Sequence, residues 1–140
     1  MRALLPLLLA PLLAGVAGAA SLTVEVRFEL RSVLVNREAP STLALHAPGR
    51  LPLPVKLRGP ASVTHPESFG LLLPVRLTLP AAPGGELRLR GPLFVCGVNE
   101  RLCRRVDLNL LVPRAAGATF TRLTITDADL TGPRLLWPGR

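Results

Sequence analysis

The residues of this sequence best suited to chemistry are its two cysteines, set in the stretch Phe94-Val95-Cys96-Gly97-Val98-Asn99-Glu100-Arg101-Leu102-Cys103-Arg104-Arg105. Apolar runs flank a short polar connection, which is a hairpin pattern. With Gly97 to Leu102 as the loop, Cys96 and Cys103 oppose each other on adjacent strands. A non-hydrogen-bonded antiparallel pair holds its Cα atoms about 4.5 Å apart, and that separation admits a disulfide. Such a bridge closes a loop of about eight residues, so the chain entropy it removes is worth roughly 2.5 kcal/mol, near the low end for disulfides. Arg101, Arg104 and Arg105 adjoin Cys103, and Arg90 is a candidate neighbour on the partner strand. Positive charge stabilises a thiolate and lowers its pKa, an effect that Glu100 opposes. Two chemistries fit these residues: reversible thiol–disulfide exchange, and the static bridge that two cysteines commonly form after export.

No other constellation competes with the cysteines. His46 and His65 are the only histidines and stand far apart, so no metal site is expected. Asp127 and Asp129 in TDADLTG suggest a calcium loop, but Leu, Thr and Gly fill the remaining ligand positions, and the segment reads as a turn after a strand. Ser68 lies near His65 and Glu67 without a nucleophile elbow. The sequence shows no carboxylate pair, phosphate loop or dinucleotide fingerprint, and no cofactor is expected.

Export is expected from the N-terminus. Arg2 precedes an apolar stretch from Ala3 to Ala20 that ends in Ala17-Gly18-Ala19, the charged start, apolar middle and small-residue cleavage site of a secretory signal. Residues 1–20 read as that signal, with the mature chain starting near Ala20 or Ser21 in the periplasm or cell envelope. Pro6, Pro11, Gly15 and Gly18 interrupt the stretch and no charged stop follows it, so no integral membrane span is expected after cleavage. Loss of Arg2 leaves 16 basic and 9 acidic residues, a net charge of +7 that favours anionic surfaces or acidic partners. Nucleic acid is not expected as a partner: the chain has no Tyr, few aromatic residues to stack bases, and its Arg residues are spread singly along strand patterns.

The elements that must position the cysteines follow from period-two alternation. Of 140 residues 49% are hydrophobic and 19% charged, which suits one folded domain, and 15 Pro and 12 Gly punctuate short apolar runs. From Leu22 to Arg31 the residues Leu22, Val24, Val26, Phe28 and Leu30 alternate with polar ones, so one face meets a core and the other water. Parity then switches to Val33 and Val35, predicting a bulge or sheet-switching bend near Arg31-Ser32. Leu51 to Leu57 alternates with Pro52 and Pro54, which cannot donate ladder hydrogen bonds and belong at an edge. Leu71, Leu73, Val75, Leu77 and Leu79 keep one parity. Glu86 to Cys96 and Leu102 to Val112 form the hairpin, with Val106, Leu108, Leu110 and Val112 inward. With Thr42 to Ala47 and Thr119 to Thr126 the pattern predicts an all-β, antiparallel immunoglobulin-like β-sandwich of seven or eight strands. No segment of helical period follows the signal.

The stretch from His65 to Pro113 resembles the N-terminal periplasmic domain of the DsbD thiol:disulfide interchange family. The residues that carry the likeness are His65, Glu67, Phe69 and Gly70 before a strand ending LPVRLTLP, then GELRLRGPLFVC and LCRRVDLNLLVP, a strand that ends in one Cys and restarts at another. The resemblance implies a sandwich over residues 21–113, with residues 114–140 as an extra strand and C-terminal tail. It further implies that Cys96 and Cys103 form a redox pair, that Cys103 meets the partner, and that Phe69 caps the pair. The implied partners are a thioredoxin-like envelope protein and a membrane thiol reductase. The other function the residues allow is a non-catalytic β-sandwich binding module with a structural disulfide.

Overall fold

The computed structural model describes residues 20–99 and 102–131. The signal reading therefore lies outside the described residues apart from Ala20, as do Glu100, Arg101 and the tail from Gly132. In chain order the elements are β1 (Leu22–Glu29), β2 (Val33–Val35), β3 (Ala44–His46), β4 (Leu53–Pro54), β5 (Val75–Leu79), β6 (Arg88–Gly97), β7 (Cys103–Leu111), β8 (Phe120–Thr126) and a single helical turn, α1 (Asp127–Leu130). They form two open sheets. The three-stranded sheet has the order β5-β1-β8; the five-stranded sheet is built on β6, with β7 along one side, β2 and β3 in succession along the other, and β4 beyond β3. The fold is all-β and sandwich-like, as the alternation predicted.

Each sheet contributes one apolar face to the core. Leu22, Val24 and Val26 of β1 are fully buried, and they meet Leu89, Leu93 and Val95 of β6 and Val106 and Leu108 of β7. The parity switch at Arg31-Ser32 is the point where the chain leaves the first sheet for the second, since β1 pairs with β5 and β8 but β2 pairs with β6. The Pro-rich run yields only the two-residue β4, paired to β3 at the edge of the sheet, where missing N–H donors cost nothing.

Three features depart from the sequence expectation. The β1–β8 pair is parallel, whereas an antiparallel sandwich was expected. The chain between them supplies the long connection a parallel pair needs. The row from Leu71 to Leu79 is broken: Leu71 and Leu73 are 58% and 46% exposed while Leu72 is buried, and β5 starts only at Val75. Pro74 has no N–H for the ladder, and the Leu73 N–H instead donates to the Arg58 carbonyl at 2.8 Å, so the segment before Pro74 follows a different neighbour. The turn expected at Asp127 is the helical turn α1, closed by the Thr126 N–H donating to the Asp129 carboxylate at 2.9 Å.

Candidate functional site

The two long strands β6 and β7 pair in continuous register from Arg88 with Leu111 to Cys96 with Cys103, so the cysteines are the last pair before the loop. They form a disulfide, with Cα atoms 4.2 Å apart. The phase of the ladder explains that short separation. Asn36 N–H donates to the Phe94 carbonyl at 2.8 Å and Val98 N–H to the Ser32 carbonyl at 3.0 Å, so the backbone groups of Cys96 face β2. Toward β7 the pair is then non-hydrogen-bonded, the closer of the two antiparallel classes.

The two sulfurs are not equivalent. Cys96 is 3% exposed, because β6 is flanked on both sides and Leu34 of β2 sits opposite it. Cys103 is exposed, because β7 is the outermost strand on its side of the sheet. Alternation places Cys96 and Cys103 on the face turned from the core row Leu89, Leu93 and Val95, beside the half-buried Phe94 and across from Arg105. Phe94 and Leu34 are neighbours of the disulfide that the sequence reading missed. Phe94 could have been found from its position two residues before Cys96, whereas Leu34 depends on the β2–β6 register.

The arginines divide. Arg105 shares the Cys103 face but donates from Nε to Asp107 at 2.9 Å, which offsets its charge. Arg104 has the opposite parity and donates to the Leu130 carbonyl at 3.5 Å, toward α1. Arg90, a candidate neighbour in the sequence, pairs with Asn109, six positions along β6 and about 20 Å from Cys96, and does not adjoin the pair. Arg101 lies outside the described residues. Phe69 is half-buried and packs against the core cluster; its N–H donates to the Val35 carbonyl at 2.9 Å, so its backbone runs along the edge of β2 away from β6. Phe69 also lines a cleft of about 580 Å³ with Arg37, Leu43, Val55 and Lys56, which neither cysteine borders. Of the two histidines, His46 lies in β3 and His65 in the loop before Phe69. Among the described residues no three His, Cys, Asp or Glu side chains come together.

A carboxylate far away in sequence braces the disulfide end of the sandwich. Asp127 accepts from the Arg31 N–H at 3.1 and 3.2 Å to its two oxygens, and its Oδ2 accepts from both the Ser32 N–H and the Ser32 hydroxyl at 3.1 Å. Ser32 in turn accepts from the N–H of Val98, in the cysteine loop. Burial would raise the Asp127 pKa, but the donors from Arg31 and Ser32 and the Arg31 charge outweigh it and hold the carboxyl below its ordinary value. A lowered carboxylate pKa adds stability that is complete above the unfolded-state pKa and is lost as pH falls through the folded-state one. Asp127→Ala is therefore expected to cost about 1 kcal/mol at neutral pH, an amount limited by solvent competition at this partly exposed corner, and less at pH about 2. Urea midpoints at the two pH values check this; an equal loss at both would show that the carboxylate charge plays no part.

The core rows lie in both sheets and do not depend on the bridge, so the reduced domain is expected to stay folded. Reduction should lower unfolding free energy by at most about 2 to 3 kcal/mol. Circular dichroism of the reduced chain tests this, and collapse of the strand signal on mild reduction would identify the bridge as a structural staple.

Fold and site together define a disulfide-bearing all-β sandwich domain. Comparisons with protein-family models, with curated proteins and with solved structures find no match to this chain. Among the described residues no helix is long and apolar enough to cross a membrane.

Proposed function

We propose that this chain is an exported thiol:disulfide relay domain of the DsbD N-terminal type, passing electrons through the Cys96–Cys103 pair to or from thioredoxin-like partners. The observation that carries the reading is the asymmetry of the pair, with Cys103 open on an edge strand and Cys96 buried beneath its neighbours. The residues of the His65 to Pro113 stretch that resemble the DsbD domain support it.

The exchange runs in two steps. A partner thiolate attacks Cys103 Sγ, the exposed sulfur, forming a mixed disulfide while Cys96 leaves as a thiolate. A second thiol of the partner then attacks its own sulfur in that mixed disulfide and releases Cys103. The partner is oxidised to a disulfide, and two electrons with two protons pass to the Cys96 and Cys103 thiols. In the reverse direction the reduced Cys103 attacks a partner disulfide and Cys96 resolves the adduct. Leu34 and Phe94, beside Cys96, limit access to the resolving sulfur between encounters.

The reduction potential tests the proposal. Structural bridges of exported proteins generally lie below about −300 mV, and exchange-competent ones are more oxidising. A potential between about −180 and −270 mV, measured against glutathione or thioredoxin, is expected for a relay. A value below about −300 mV would instead assign the domain to the binding-module class, with the disulfide as a fixed cross-link.

A further inference from the structure

The outer face of the three-stranded sheet carries an arginine row built around a single buried carboxylate. Glu25 lies on the face of β1 opposite Val24 and Val26, and register sets Arg76 of β5 on one side of it and Arg122 of β8 on the other. Arg76 Nε donates to Oε2 at 3.0 Å, Arg122 Nε donates to Oε1 at 2.9 Å, and Arg27 Nε lies 2.8 Å from Oε1. The carboxylate is 2% exposed, covered by the side chains it binds, whereas Arg76 is 70% exposed. Burial would raise the Glu25 pKa; hydrogen bonds from Arg122 and Arg76 and the charges of Arg122 and Arg27 outweigh it, and the residue stays ionised.

Three cations around one anion leave two positive charges uncompensated within the row. Arg76 and Arg122 each spend only their Nε–H in a hydrogen bond to Glu25, and Arg27 meets it as an ion pair through Nε, although each guanidinium carries five N–H donors. The Nη groups of Arg27, Arg76 and Arg122 have no hydrogen-bond partner among the described residues, and the side chains are held at Glu25 by two hydrogen bonds and the Arg27 ion pair. Phe120, 44% exposed, sits in the same face with Arg76 and Arg122 at 6.0 and 5.8 Å from its ring centroid. Glu29, farther along β1, is the other carboxylate of this face.

We propose that this face docks the domain on an anionic phospholipid surface, with the arginine row engaging headgroup phosphates and Phe120 entering the interfacial layer. Planar guanidinium forks match phosphate oxygens in bidentate fashion. A half-exposed aromatic ring among cations suits the boundary between headgroups and acyl chains better than it suits an acidic protein surface. The chain's formal net charge of +8 adds long-range attraction to such a surface. The cysteines turn toward the outer face of the other sheet, so docking leaves Cys103 open to a partner. The docking stands whether or not the disulfide exchanges.

Co-sedimentation of the full oxidised chain with vesicles tests it. Vesicles containing about 30% phosphatidylglycerol in phosphatidylcholine should bind the protein at low salt and release it progressively as salt rises, while pure phosphatidylcholine should not bind it. The triple variant Glu25→Gln, Arg76→Gln, Arg122→Gln removes two of the row's three guanidinium groups together with the carboxylate they share, leaves Arg27 without stranding a buried charge, and lowers net charge by only one. Its binding should fall about tenfold. Arg88→Gln with Arg90→Gln, on the outer face of the other sheet, removes two charges and should change binding less than about twofold. Phe120→Ser, which keeps every charge, should weaken binding several-fold and keeps the test open if the triple variant does not fold. Equal losses in the row and control variants, or no preference for the anionic vesicles, would overturn the proposal. So would binding to polyglutamate without binding to vesicles, which would assign the face to an acidic protein.

Discussion

Cys96→Ser, produced in cells that export the chain, is expected to accumulate a reducible covalent adduct with a thioredoxin-like protein, and Cys103→Ser is expected to accumulate about tenfold less. The expectation rests on where the sulfurs sit. With Cys96 removed, Cys103 remains exposed on β7 and attacks a partner disulfide, but no second sulfur is present to resolve the product. With Cys103 removed, the remaining thiol is 3% exposed between β2 and β7, and an incoming disulfide must displace Leu34 or open the hairpin to reach it. Separation on non-reducing gels, followed by mass spectrometry of the adduct, reads both outcomes. Equal trapping by the two variants would show that burial does not decide which sulfur meets the partner. Absence of adduct with either, together with a potential in the structural range, would leave the binding module as the function.

A large stability effect is expected at Gly91. This residue lies in β6 where the strand passes from its pairing with β3 to its pairing with β2, and its φ of +138° is one that side chains strongly disfavour. A Cβ there would stand 2.4 Å from the Thr42 carbonyl oxygen and 3.0 Å from the Leu43 Cα. Both contacts are backbone, and Leu43 is itself buried at the core, so neither atom can swing aside. Gly91→Ala is expected to cost about 3 kcal/mol, from backbone strain and overpacking together. Native proteins of this size hold only about 5 to 15 kcal/mol in total. The matched control is Gly49→Ala, at φ +70° with nothing within 4 Å, which should cost about 1 kcal/mol from conformation alone. Denaturant midpoints of the two variants separate close approach from backbone preference. A similar loss in both would mean that β3 and β6 move apart at little cost.

Much of the positioning of the cysteines was legible from the sequence. Alternation along β1, the parity change at Arg31-Ser32, the edge prolines and the hairpin around Cys96 and Cys103 each express a local rule, and each recurs in the fold. The hairpin was legible because its two strands are neighbours in sequence, so turn position alone sets their register. The charges around the pair were not: Arg101, Arg104 and Arg105 adjoin Cys103 in sequence, yet a strand sends successive side chains to opposite faces. Arg104 reaches α1 and Arg105 is engaged by Asp107.

By itself the sequence determined the all-β class, the strand faces and the opposition of the two cysteines, because these depend on residues close together in the chain. The tertiary structure alone decided which sulfur is open, since that follows from β7 being outermost and β2 lying beside β6. It also decided that Glu25, which alternation assigns to solvent, is buried under arginines 51 and 97 residues away, and that Asp127 braces a turn 95 residues upstream. The physical reason is the same in each case. A side chain's face is set by its own backbone, but its burial and its charge partners are set by whichever strands the whole chain brings alongside.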